Sequence, residues 1–125
     1  MKALSIDHIV LIVKDIKRTE AFYSKFLVKP FYQDDESVGY KIRKIRVFFV
    51  LPYKKAAGLK LDKNIVGLNH LAFGVSSMAE LSAIEKLLVK SKIKNSGIQI
   101  DKYENKPFIW LDDPDKARLE FYLRK

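Results

Sequence analysis

The chain has no cysteine. Disulfides, zinc–thiolate sites and cysteine nucleophiles are therefore excluded. Its longest apolar run is only a few residues, well short of the roughly 20 that a membrane-spanning helix needs. The opening stretch, Met1 to Asp7, is too short and too soon charged for a secretory signal. These absences lead to the expectation of a cytoplasmic protein that contacts no membrane. Histidine is also scarce, with only His8 and His70. Acids are missing from one whole tract. Between Ser37 and Leu61 there is none, while Lys41, Arg43, Lys44, Arg46, Lys54, Lys55 and Lys60 are present. A pocket lined by that tract would favour an anionic ligand.

What is present suits one domain of ordinary size, 1–125, with 48% hydrophobic residues to build a core. The formal net charge is +9. The lysines are scattered through every segment, with no recognition-helix pattern and no Gly-aromatic RNA motif. A solvated basic surface is therefore expected, not a nucleic-acid partner.

Ile6 to Val13 is β-branched and apolar and reads as a buried strand. Asp15 then caps a helix over 16–27, which Pro30 stops. Strands are expected near Phe31 to Gln33, over Val38 to Arg43 and over Arg46 to Leu51, followed by a connection from Pro52 to Asn64. The order then repeats. Leu68 to Val75 reads as a strand, and Ser76-Ser77 caps a helix from Met78 to Lys90. Ile98 to Tyr103, Pro107 to Leu111 and Arg118 to Leu123 complete the set, with a turn at Asp112-Asp113-Pro114-Asp115. The expected fold is α+β. Two βαβββ repeats, about 4–58 and 66–125, form a curved, half-closed mixed sheet with helices outside.

Both histidines fall at the same place in this repeat, in Ile6-Asp7-His8-Ile9-Val10 and Leu68-Asn69-His70-Leu71-Ala72. A lone histidine in an apolar strand is ordinarily a core or rim residue. Two at duplicated positions, with Glu120 in a third strand, make a complete facial ligand set for Fe, Mn, Ni or Zn. Strand alternation puts His8 with Val10 and Ile12, His70 with Ala72, and Glu120 with Tyr122. Tyr122 is thus the candidate acid or hydrogen-bond donor.

Three stretches in order carry a family resemblance. Asp7 to Ile16 leads into Phe22-Tyr23, Leu68-Asn69-His70-Leu71-Ala72-Phe73 follows, and Asp112-Asp113-Pro114-Asp115 runs through to Leu119-Glu120-Phe121-Tyr122. Together they resemble the vicinal oxygen chelate superfamily, which includes glyoxalase I, extradiol dioxygenases, fosfomycin resistance enzymes and bleomycin resistance proteins. The resemblance implies a metal-dependent enzyme acting on a small oxygen-chelating substrate, and a homodimer whose second subunit helps complete the cleft. It also implies four metal positions, of which His8, His70 and Glu120 fill three. The fourth is expected near Phe49, within Val47 to Leu51, where no acid, amide or histidine stands. Glyoxalase chemistry uses a carboxylate there, so a three-ligand reaction of the dioxygenase or fosfomycin-modifying kind is expected instead. The family's dioxygenases usually carry a further histidine, which this chain lacks. Tyr40, Arg46, Phe49, Tyr103, Phe108 and Trp110 are the candidate substrate contacts. The alternative is a metal-free binding or sequestering protein of the bleomycin resistance type.

Overall fold

The computed structural model describes residues 1–52 and 62–124. The connection expected over 52–64 lies mostly outside the described residues. The chain divides into two compact units, Met1–Leu59 and Lys60–Lys125. Each is a βαβββ unit with a four-stranded mixed sheet and one helix.

The first unit contains β1 (His8–Ile12), α1 (Ile16–Tyr23), β2 (Tyr32–Gln33), β3 (Ser37–Ile42) and β4 (Ile45–Val50), in the sheet order β1-β4-β3-β2. β1 begins at His8, later than its apolar pattern suggests, because it runs parallel to β4 alone and β4 starts only at Ile45. α1 is capped by the Asp15 carboxylate, which accepts from the Arg18 N–H at 2.8 Å. The helix is a turn shorter than its sequence pattern. After Ser24, the N–H groups of both Phe26 and Leu27 turn back onto the Tyr23 carbonyl, at 3.0 and 2.9 Å, closing the end. Thr19, Phe22 and Tyr23 bury one helix face against Val38, Tyr40, Val47 and Phe49. The sheet's other face carries His8, Val10, Ile12, Arg46, Phe48 and Val50, and the helix leaves it open. Gly39 lies opposite Phe48 on this side. A Cβ there would come within 2.9 Å of the Phe48 ring, so glycine is what lets that ring lie flat on the sheet.

The second unit contains β5 (Leu71–Val75), α2 (Met78–Lys90), β6 (Gln99–Ile100), β7 (Pro107–Asp112) and β8 (Arg118–Leu123), in the order β5-β8-β7-β6. The Ser77 hydroxyl caps α2 by accepting from the Glu80 N–H, and Glu80 in turn accepts from the Ser76 N–H. The far end closes as a Schellman motif. Ile93 N–H reaches the Leu88 carbonyl at 2.9 Å, and Lys92 N–H reaches Val89 at 3.1 Å. Lys92 takes the left-handed φ of 56° that this motif demands. β6 is only two residues long because Asp101 starts a tight turn. Its carbonyl accepts from Asn105 N–H at 2.7 Å and its carboxylate accepts from Glu104 N–H at 2.8 Å. Leu81, Leu88, Ile109, Leu111, Leu119 and Phe121 form this unit's core.

Candidate metal centre and ligand recess

The two histidines are held in the same way. His8 Nδ1 donates to the Asp7 carboxylate at 2.7 Å. His70 Nδ1 donates to the Asn69 carbonyl oxygen at 2.8 Å, and the Asn69 amide donates in turn to the Lys63 carbonyl at 2.8 Å, which sets its orientation. In each case the Nδ1 proton is engaged and Nε2 is left as the donor atom toward a metal. The sequence signal for this was a polar acceptor directly before each histidine, and the ligand pattern alone did not pick it out. The His8 partner, Asp7, has its pKa pulled down, first by the hydrogen bond to His8 and further by electrostatic attraction to His8 and Arg46.

In the second unit, His70 Nε2 lies 2.8 Å from Glu120 Oε2. That oxygen is shut off from solvent and has no aligned hydrogen-bond donor. The two atoms touch without the alignment of a hydrogen bond, and a carboxylate oxygen cut off from water calls for a positive charge beside it, whether a metal ion or a protonated imidazole. Bonds of about 2.1 Å at right angles on one ion hold a nitrogen and an oxygen about 3 Å apart. The spacing and the orphaned oxygen therefore fit a divalent metal held by His70 and Glu120. No group of three or more His, Asp or Glu side chains placed to hold a metal is found among the described residues.

The strand register locates the equivalent of Glu120 in the first unit. Ala72 pairs with Glu120 across β5 and β8, and Val10 pairs with Phe48 across β1 and β4. The counterpart is thus Phe48, one residue before the expected Phe49. Phe48 meets the His8 ring edge-on, with centroids 6.1 Å apart, where His70 meets a carboxylate. Phe49 lies on the opposite face, fully buried, with its ring 4.1 Å from that of Tyr23. Tyr40 is buried on that helix side too, its hydroxyl 2.8 Å from the Ser24 hydroxyl. Neither Phe49 nor Tyr40 faces the open side of the sheet, because strand alternation turns both toward α1.

The other candidates gather on the open face of the second sheet. Trp110 pairs with Glu120, and Phe108 with Tyr122. The Phe108 and Tyr122 rings stack 4.8 Å apart at 10°. Beside them a recess of about 300 Å³ is lined by His70, Tyr122, Tyr103, Asp101, Glu104 and Arg124, among others. Arg124 was not singled out from the sequence. Its guanidinium lies 4.9 Å over the Tyr122 ring and pairs with Glu104 at 3.4 Å. Burial, then the negative charges of Glu120 and Asp101, push the Tyr122 phenol above its usual pKa, so it remains a proton donor at neutral pH. Arg46 stands on the open face of the first sheet, directly opposite His8.

Two βαβββ units each open on a histidine with a polar neighbour on Nδ1, and a largely buried carboxylate faces the second histidine. Solved structures carry the same fold. A candidate glyoxalase from Bacillus halodurans is similar at a TM-score of 0.81 and 18% identity, over 95% of both chains. A glyoxylase/bleomycin resistance protein/dioxygenase domain from Frankia sp. EAN1pec matches at 0.79 and 21%, over 99% of this chain and 94% of that one. The fosfomycin resistance protein FosX from Listeria monocytogenes matches at 0.72 and 19%, over 100% and 95%. No protein-family model matches the chain. In sequence, the uncharacterized protein YwkD of Bacillus subtilis (strain 168) is 30% identical over 125 residues, 94% of this chain and 95% of that protein. The chain belongs to one family with YwkD.

Proposed function

We propose that this protein is a metal-dependent enzyme acting on a small, anionic, oxygen-chelating substrate, with His8, His70 and Glu120 as metal ligands. The observation that carries this reading is the buried Glu120 Oε2, 2.8 Å from His70 Nε2 and without an aligned donor. Its negative charge is what a divalent Fe, Mn, Ni or Zn ion would neutralise. When bound, such an ion acts as a Lewis acid toward an enolate or alkoxide on the substrate. The chain's own groups do the rest. Asn69 and Asp7 hold the two imidazoles by Nδ1. Tyr122, stacked on Phe108 and kept protonated, donates a hydrogen bond to a substrate oxygen in the recess. Tyr103 and Arg124 border the same recess and orient the ligand. Phe48, in the place where a carboxylate would take part in glyoxalase-type proton transfer, cannot carry a proton. The chemistry proposed is therefore addition, lyase or dioxygenase chemistry through three protein ligands, in a cytoplasmic homodimer whose second chain helps complete the cleft.

The test is metal content. Chain purified without chelator and exposed to each of the four metals should bind about one ion, and His70→Ala and Glu120→Gln should each lose it. Wild-type protein that binds none of the four sinks the reading. The second reading, a metal-free binding protein, is favoured by Phe48 against His8 and by the apolar Val10, Ile12 and Val50 around it. It predicts ligand affinity that survives both substitutions.

A further inference from the structure

One side chain crosses the recess of the second unit. Arg124 follows β8, and the Val75 carbonyl holds its N–H at 2.7 Å. Its stem runs over Gly74 of β5, where a Cβ would stand 3.4 Å from the Arg124 Cγ. The guanidinium passes over the Tyr122 ring and ends 3.4 Å from the Glu104 carboxylate. Glu104 belongs to the 101–106 turn between β6 and β7, which walls the recess with Asp101 and Tyr103. Arg124 therefore spans the recess from the β5 side to that wall. The first unit has no counterpart. By register, Gly74, Tyr122 and Phe108 correspond to Ile12, Val50 and Ser37, and Arg124 falls at Pro52. The strands equivalent to β6 and β7 are joined there by the shorter 34–36. The crossing arginine, the glycine that makes room for it and the longer turn that receives it occur together in the unit that carries the recess, and not in the other.

The turn has little else to hold it. Residues 102–106 are exposed, Tyr103 at 84%. The turn's hydrogen bonds close on itself. Asp101 N–H meets the Lys106 carbonyl at 2.8 Å, and Asn105 N–H meets the Asp101 carbonyl at 2.7 Å. A segment without a buried apolar anchor opens at low cost. The Glu104–Arg124 pair is itself exposed, so it biases the turn toward the closed position without locking it. We propose that Glu104 and Arg124 are a latch, which closes the 101–106 turn over the recess and opens to admit a small ligand. The latch governs entry to the recess and holds whether or not a metal sits at the His70 end.

The test uses metal-free, full-length chain with carbon-13-labelled tyrosine and needs no ligand. Hydrogen exchange of the 102–105 amides reads the turn. Broadening of the Tyr122 ring signals by the neutral nitroxide TEMPOL reads access to the recess. Tyr103, exposed throughout, and Tyr23, at 1% exposure, are the internal controls. Glu104→Gln should speed exchange in the turn and raise Tyr122 broadening, each on the order of two- to fivefold, as expected for losing an exposed ion pair. Glu104→Arg combined with Arg124→Glu restores the attraction with the charges exchanged, and should return both readouts toward wild type. Equal exchange in wild type and Glu104→Gln overturns the proposal. So does faster exchange with unchanged Tyr122 broadening, because the turn would then be tied down without guarding the recess. A charge-exchanged variant as open as Glu104→Gln overturns it too, as does a matching acceleration at the core amides of Leu81 and Leu88, which would mark general destabilisation. Metal content decides the enzyme reading separately, and neither result depends on the other.

Discussion

At the scale of single residues, the second unit is organised around one unresolved contact, Glu120 against His70. The Glu120 Oε2 is cut off from water and has gained no aligned donor, so that oxygen favours a positive charge beside it. Asn69 sets which nitrogen of His70 takes part. Asn69→Leu is expected to lower metal affinity about 10- to 100-fold, a common cost of losing such a partner, and metal titration with a competing chelator checks it. Tyr122 makes a pH-dependent contribution. Its folded pKa lies above the unfolded value of 10.0. The stability linked to it is therefore fully present below pH 10 and is lost as pH rises through the folded value. Denaturant midpoints measured from pH 8 to 11 should fall less steeply in Tyr122→Phe than in wild type. Some of the fall will remain, because burial raises Tyr40 as well, and the hydrogen bond to Asp34 raises Tyr32.

Among the elements, turns decide where strands and helices end. Lys92 closes α2 in the left-handed conformation, and Lys116 does the same at φ 69° in the turn before β8. A residue with a Cβ costs about 1 kcal/mol or more in that conformation relative to glycine. Lys92→Gly is expected to stabilise the protein by about 0.5–1 kcal/mol, measured by urea unfolding. The helix starts were readable from Asp15 and Ser77, since a cap is a local event between residues three apart. The shortening of α1 and β6 was not readable. In α1 the carbonyl of Tyr23 takes two N–H groups at once, and in β6 Asp101 bends the chain before its apolar pattern ends. Both are competitions between local hydrogen bonds and a pattern that taken alone favours continuing.

For the molecule as a whole, the duplication has diverged in use. The open face of the second sheet carries His70, Glu120, Tyr122 and a neutral Arg118–Asp112 pair, while that of the first carries His8 among apolar side chains, with Arg46 and Lys41 opposite each other. With a formal net charge of +9, the folded chain repels itself. Raising sodium chloride from about 0.01 M to about 0.15 M shortens the screening length from ~30 Å to ~8 Å. The melting temperature should therefore rise by a few degrees over that range, as scanning calorimetry would show, and more in wild type than in Lys41→Asp. Light scattering at twice the 14.5 kDa chain mass would support the proposed dimer.

The βαβββ order, both helix caps, the paired histidines and Glu120 could all be read from residues in sequence. Each depends on spacing within a few positions, or on a pattern repeated in the two halves. Only the tertiary structure decided what those residues meet. Strand alternation has a period of two, so an error of one position reverses a face. Counting along the chain pointed to Phe49, and the register assigned the place to Phe48 and sent Phe49 into the core with Tyr40. His70 and Glu120 are fifty positions apart, and Glu104 and Arg124 are twenty apart. Their contacts and charge balance exist only where strands pair, because pairing brings distant side chains within reach of one another's charge.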